Sequence, residues 1–269
     1  MKKLALIAVV CMVLYSCSKT TVPAYNYDPV LSAYLYAGHH FTMQLSHQQS
    51  TSSQTYEAPT LDGLAITLKC GDTSYTLIGQ GNGVYADTNV VLKAGTQYDL
   101  SFTYNGKTVT ASAIVPEKPT SFAESVTSIS MEQVTTTGST GFGFNNGTPN
   151  ELTWDYVSGA YYIVLVENIE ASPEKIYDTV VTSTSSDTGR VFRNSPLTSG
   201  SYVINERIFK YFGAHRIVLY RISADYALLY DGSSSSSQSL TTMSTGIVNG
   251  VGIFTGLNAD TLYMTVIKQ

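Results

Sequence analysis

Four histidines, three cysteines and twenty acidic residues are the side chains with which this chain could do chemistry. His39-His40 and His47 lie close in sequence. Neighbouring residues of a strand point to opposite faces, so His39 and His40 would not share one ion without a bend. No cysteine pair, HExxH or EF-hand pattern accompanies them, and they read as surface or strand histidines. No Gly-x-Ser-x-Gly elbow is present, and the remaining histidine, His215, sits in an apolar strand context beside Arg216. Gly141-Phe142-Gly143-Phe144-Asn145-Asn146-Gly147 has the glycines of a phosphate loop but no Lys and no following helix. It reads as a hairpin loop in which Phe142 and Phe144 are candidate ligand-contact aromatics. Paired carboxylates are not indicated by any spacing, since glycosidase work needs two of them about 5 to 9.5 Å apart in space. The expectation is a non-enzyme with no catalytic set, no metal and no cofactor.

One cysteine does carry chemistry. Met1-Lys2-Lys3 precedes an apolar run over residues 4–14, then Tyr15, Ser16 and Cys17. A basic start, a short apolar core and a small residue before the cut read as an export signal. The run is too short for a bilayer core of about 30 Å, which needs roughly 20 residues. Ser16-Cys17 resembles a lipobox, which makes residues 1–16 a lipoprotein signal peptide and Cys17 the lipidated first residue. More than one acyl chain there, palmitate included, holds a protein on a bilayer, at about 0.8 kcal/mol per buried CH₂. Cys11 leaves with the signal, so Cys70 stands alone and no intramolecular disulfide forms. Cys70 ends the alternation Leu64, Ile66, Leu68 and reads as a small core hydrophobe.

The elements around these residues are β-strands. Only 13% of residues are charged, and the formal net charge is −5. Loss of Lys2 and Lys3 makes the mature chain more acidic still, and nucleic acid is not an expected partner. Twenty tyrosines and abundant Thr suit pleated, half-buried surfaces. Tyrosines also serve binding loops, so a carbohydrate platform is conceivable, although most should simply occupy strands.

Residues 17–28 form a lipidated tether. Two apolar runs around Gly38 predict a hairpin over residues 29–45, and residues 46–55 a loop. Residues 64–70 and 75–78 predict strands, followed by a Gly-rich turn at residues 79–83. The plainest local pattern is Tyr98, Leu100, Phe102, Tyr104, then Asn105-Gly106, then Val109, Ala111, Ala113, Val115, a hairpin on a type I′ turn. Pro116-Glu117-Lys118-Pro119 is a stiff linker and the predicted domain boundary. Residues 29–116 therefore predict one antiparallel sandwich.

Residues 120–269 predict a second. A strand is expected over 122–131 and loops over 135–150 and 182–186. Residues 151–154 and 160–166 follow as strands, where Trp154 before a turn and Tyr161-Tyr162 after it resemble the B–C strands of fibronectin type III sandwiches. Trp154 belongs in the core. Asn205 caps one or two helical turns that stop at Gly213, residues 215–222 form a strand, and Ser223 caps a helix over 224–230. Residues 233–237 are low-complexity. The segment from Gly250 to Phe254 runs into a final strand over residues 261–267. Asp178-Thr179-Val180 and Asp260-Thr261-Leu262 resemble a bacterial O-glycosylation signal.

Several stretches together resemble the Bacteroidota-type lipoproteins grouped as domain of unknown function four-two-four-nine. They are Val30-Leu31-Ser32-Ala33-Tyr34-Leu35, Gly83-Val84-Tyr85, the run from Lys93 to Leu100 with its return from Thr110 to Pro116, Ile222-Ser223-Ala224-Asp225-Tyr226, and Asn249-Gly250-Val251-Gly252-Ile253-Phe254. The resemblance implies an all-β envelope lipoprotein with one or two short helices. Its N-terminal module would be immunoglobulin-like and its second module β-rich. It also implies an outer-membrane location and association with a TonB-dependent transporter. It transfers no catalytic residues, so Gly83, Tyr85, Gly250, Gly252 and Phe254 are expected to be structural. The expected function is a non-enzymatic accessory or binding module, with a free-standing glycan- or protein-binding adhesin as the alternative. Which membrane face it occupies stays open. Ser18-Lys19-Thr20-Thr21 lacks the acids that mark some surface lipoproteins, while the family resemblance favours the exterior.

Overall fold

A computed structural model describes residues 28–48, 59–135, 149–178, 189–231 and 246–269. The signal, Cys17, Phe142 and Phe144 lie outside the described residues, as do residues 182–186 and 233–237. The chain is all-β, built as two β-sandwiches with one short α-helix among the described residues.

The N-terminal module holds β1 (Pro29–Tyr36), β2 (His40–His47), β3 (Ile66–Cys70), β4 (Thr73–Thr76), β5 (Ile78–Gly81), β6 (Val84–Val91), β7 (Gln97–Tyr104) and β8 (Lys107–Ile114). β1 and β2 form the expected hairpin around Gly38. β7 and β8 pair from Gln97–Ile114 to Tyr104–Lys107 across Asn105-Gly106. Both turn residues have positive φ, 48° and 75°, as a type I′ turn requires. Alternation buries Tyr98, Leu100, Phe102, Val109 and Ala111 against Leu31, Leu35, Phe41, Leu45 and Tyr85 of the facing sheet. The expected strand over residues 75–78 is instead two. β4 pairs with β3 in one sheet and β5 with β6 in the other. Leu77 between them is buried in the core, and this anchors the crossing.

The second module holds β9 (Ala123–Glu124), β10 (Ser128–Met131), β11 (Val134–Thr135), β12 (Asn150–Thr153), β13 (Tyr161–Asn168), β14 (Tyr177–Asp178), β15 (Val191–Arg193), β16 (Ser201–Ile204) and β17 (Gly213–Ile222). Helix α1 (Ala224–Asp231), β18 (Ile247–Val248) and β19 (Val251–Lys268) follow. The sheet β16-β12-β9 faces β15-β13-β17-β19, the three-plus-four arrangement of a fibronectin type III sandwich. Trp154 follows β12 and is 5% exposed. It lies 5.5 Å from Tyr162 and 6.4 Å from Phe122 between ring centres. The single strand expected over residues 122–131 also divides. β9 pairs with β12, and β10 pairs parallel with the end of β19 in the other sheet. At the crossing the Ser125 hydroxyl accepts from the Glu151 N–H at 2.8 Å, and so takes the place of a ladder carbonyl.

Both expected caps are present. Asn205 Oδ1 accepts from the Arg207 N–H at 2.9 Å and opens one 3₁₀ turn, Glu206–Ile208. The turn ends before Gly213, which begins β17. Ser223 Oγ accepts from the Tyr226 N–H and opens α1.

The C-terminal strand departs most from expectation. Residues 251–254 and 261–267 belong to one strand of 18 residues, about 56 Å long at 3.3 Å per residue. Its first part pairs parallel with β1, from Val30–Val251 to Tyr36–Leu257. Its second part pairs antiparallel with β17, from Ile222–Leu257 to Gly213–Val266. Phe254 therefore lies in the N-terminal core, and Met264 and Val266 in the second. β18 likewise returns to pair with β8. The linker at residues 116–119 crosses the middle of β19. Pro116 O accepts from Asn258 Nδ2 at 2.9 Å, and Lys118 meets Asp260 at 2.8 Å.

Gly256 makes this crossing possible, because a Cβ there would stand 2.1 Å from Ile114 O. The Gly256→Ala variant should lose about 3 kcal/mol or more of stability, since neither backbone can yield without disturbing a paired strand. Urea unfolding followed by tryptophan fluorescence, which reports on the second module, and by circular dichroism should show both modules lost in one earlier transition. Separate midpoints would contradict mechanical continuity through β19.

Candidate functional site

The histidines do not converge. His40 and His47 open and close β2, about 23 Å apart along it. His39 is exposed in the preceding turn, where its ring lies 5.3 Å from that of Tyr36. His47 Nδ1 is 2.8 Å from the Tyr104 hydroxyl and closes one end of the N-terminal sandwich. Among the described residues no group of three or more His, Cys, Asp or Glu is placed to hold a metal. Cys70 is half-buried at the end of β3 and packs on the core.

His215 is buried within β17. Asn168 Nδ2 donates to Phe212 O at 3.0 Å and lies 3.3 Å from His215 Nε2. That leaves Nε2 as the acceptor and places the ring proton on Nδ1, 2.9 Å from Gly213 O. Burial lowers its pKa from the ordinary 6.5, against smaller opposite effects of the Gly213 carbonyl and the Glu170 carboxylate. The unfolded chain therefore binds a proton at this residue more readily than the folded one. The stabilisation is complete above about pH 6.5 and declines as pH falls from there toward the depressed folded value. Urea midpoints should drop between pH 7 and pH 5, and the drop should be smaller in His215→Gln. An equal drop in both would assign the acid sensitivity elsewhere.

The residues that carry the family resemblance are structural. Gly83 has φ 72°, and a Cβ would stand 2.1 Å from Leu45 O. Gly252 has φ 120°, with Leu31 O at 2.0 Å from the same position. Gly250 is packed between Ile247, Pro29 and Val109. Tyr85 is buried, and its hydroxyl donates to Leu61 O at 2.9 Å and accepts from the Leu64 N–H at 3.1 Å. Of the glycosylation-like motifs, Thr179 and Val180 lie outside the described residues. Thr261 is half-buried opposite Val218 within β19.

The arrangement that sequence reading missed is a tyrosine cluster where the modules meet. Tyr34 and Tyr36 project from the outer face of β1, Tyr161 from β13 and Tyr220 from β17, and Tyr226 reaches them from α1. Ring centres are 5.9 Å apart in both Tyr34–Tyr226 and Tyr36–Tyr220, each edge to face. Beneath them Ile163, Ile222, Leu257 and Ala227 form a small third core. Burial pushes the Tyr34 and Tyr220 phenols up, and Tyr226 adds to both shifts. Alternation alone placed these rings on one side of each strand. Only the pairing through β19 brings the two sides together. The cluster seals α1 and both modules against one sheet, and Tyr34 stays 43% exposed at its edge.

The chain matches no protein-family model and no curated protein. Among solved structures it is similar to a two-domain fibronectin type III segment of chicken tenascin, at 11% identity and TM-score 0.22, covering 73% of this chain and 92% of that one. It is also similar to titin domains A168–A170, at 10% identity and TM-score 0.22, covering 89% and 66%. The Escherichia coli adhesin FdeC is similar at 12% identity and TM-score 0.21, covering 71% and 58%. At these scores the assignment of the fold rests on strand order and pairing.

Proposed function

We propose that this chain is an exported lipoprotein, acylated at Cys17 and anchored in the outer membrane. It belongs by resemblance with the lipoproteins of domain of unknown function four-two-four-nine. Its role is that of a non-enzymatic binding or accessory module beside a TonB-dependent transporter. The observation that carries the reading is the continuous two-sandwich body. Immunoglobulin-like and fibronectin-like sandwiches present edges and faces for recognition and keep little interior free for a cleft. β1 follows the tether directly and starts at one end of that body. The strand paired parallel to it carries the second module away from that end. The second module thus stands outward from the anchor, where a partner meets it.

A second reading, a free-standing glycan- or protein-binding adhesin, is favoured by aromatic rings left at the surface. Tyr34, Tyr156 and Tyr263 are all exposed. They are spread over the body rather than gathered on one loop end.

The test has two arms. Wild-type chain should partition into the membrane fraction with the intact mass of an acylated Cys17, and Cys17→Ala should release it to the soluble fraction. A C-terminal tag should then enrich an outer-membrane transporter from detergent-solubilised cells. Soluble wild-type chain of unmodified mass refutes the anchor. Repeated capture without a transporter refutes the accessory role and leaves the adhesin.

A further inference from the structure

The outer face of the second module's larger sheet carries a row of side chains that is complementary in charge to its own reverse. Glu167 of β13 is paired with Val191 of β15 on one side and with Arg216 of β17 on the other. Arg216 is paired in turn with Tyr263 of β19. Directly paired residues share a face. The row is therefore apolar, acidic, basic, apolar: Val191, Glu167, Arg216, Tyr263. Val191 is 50% exposed and Tyr263 63%, while Glu167 and Arg216 make an ion pair between them. The next row on the same face is Arg193, Leu165, Val218, Thr261, where Val218 is already buried and Leu165 and Thr261 are half-buried. On the other side Ile169 lies beside Ala214 and Thr265, and it too is exposed.

We propose that this face is a self-association surface and that its occupant is a second copy of the chain. The two-fold axis would run parallel to the strands, between β13 and β17. An isologous contact needs a patch complementary to itself, and this row supplies one. Glu167 of one copy meets Arg216 of the other, so four charges alternate in sign around the axis. Val191 of each copy meets Tyr263 of the other. The same operation keeps both Pro29 ends on one side. Two chains held by N-terminal lipids on one membrane require that arrangement. The axis direction thus rests on the anchored reading above, whereas the complementarity of the row does not.

Helix α1 lies on the same face over Ile163, Ile222 and Leu257. With Val218 already buried, it confines the contact to the row from Val191 to Tyr263 and the residues beyond it. The contact is then smaller than the roughly 800 Å² per partner of a standard interface. The dimer is accordingly weak in dilute solution, and confinement to one membrane raises the effective concentration that forms it.

The experiment uses the full chain in its own membranes, in a Cys70→Ser background. Val191→Cys and Tyr263→Cys are placed on separate chains with different tags and co-expressed. Mild oxidation should link the two tags. Neither single variant expressed alone should link to itself, and Val203→Cys, exposed on the opposite sheet, should give background only. Glu167→Arg alone should cut the linked fraction about tenfold by setting like charges together. Glu167→Arg with Arg216→Glu should restore it, because the swapped row is again self-complementary. The melting temperature of each variant shows that the exposed substitutions leave the fold intact. Linkage no greater than with Val203→Cys, linkage indifferent to the charge reversals, or capture of a different protein by Tyr263→Cys would each overturn the proposal. Intact mass, read separately, reports whether a failure lies with the anchor.

Discussion

One constraint organises the molecule: a single strand belongs to two hydrophobic cores. β19 contributes Phe254 to the first and Met264 and Val266 to the second. Leu257 sits at the handover, paired with Tyr36 on one side and Ile222 on the other. A β-ladder resists bending within its plane, because every bend breaks hydrogen bonds that must otherwise be satisfied. The two sandwiches thus lack the usual freedom of tandem modules on a flexible linker. The Pro-rich linker is itself bound along the strand through Asn258 and Asp260.

The tyrosine cluster and α1 take their meaning from the same constraint. They cover the outer face where β1, β13, β17 and β19 run side by side. Edge-to-face rings contribute about 0.5–1.5 kcal/mol per pair beyond the area they bury. Spread across three strands and a helix, these contacts oppose any twist of one module against the other. Stiffness here comes from covalent continuity, a bound linker and an aromatic seal together.

Much of this was legible in the sequence. Alternation marked β7 and β8, Asn105-Gly106 marked their turn, and Asn205 and Ser223 marked two helical starts. Trp154 announced the second core. What escaped was long-range. A strand that changes sheets looks locally like one strand, so β4 with β5 and β9 with β10 read as single elements. Leu77 and Ser125 make those crossings, and neither carries a distinctive local signal. The unity of β19 was hidden because Gly252 and Gly256 interrupt its apolar pattern. Both glycines are there for close backbone approach, to Leu31 and to Ile114. The candidate site residues divide in the same way. Cys17, Phe142 and Phe144 were readable as motifs but lie outside the described residues. The tyrosine cluster and the Val191–Tyr263 row exist only through pairing between segments far apart in the chain.

That pairing also sets an order of events. The first strand of the N-terminal core waits for the last strand of the chain, since Val30 is paired with Val251. Contacts so distant in sequence form slowly, because a long loop must close before they contribute. Until its C-terminal residues emerge, one edge of β1 and one edge of β17 have no strand to pair with. The strand that stiffens the finished protein is also the last to be made, so the completion of both cores waits on the end of the chain.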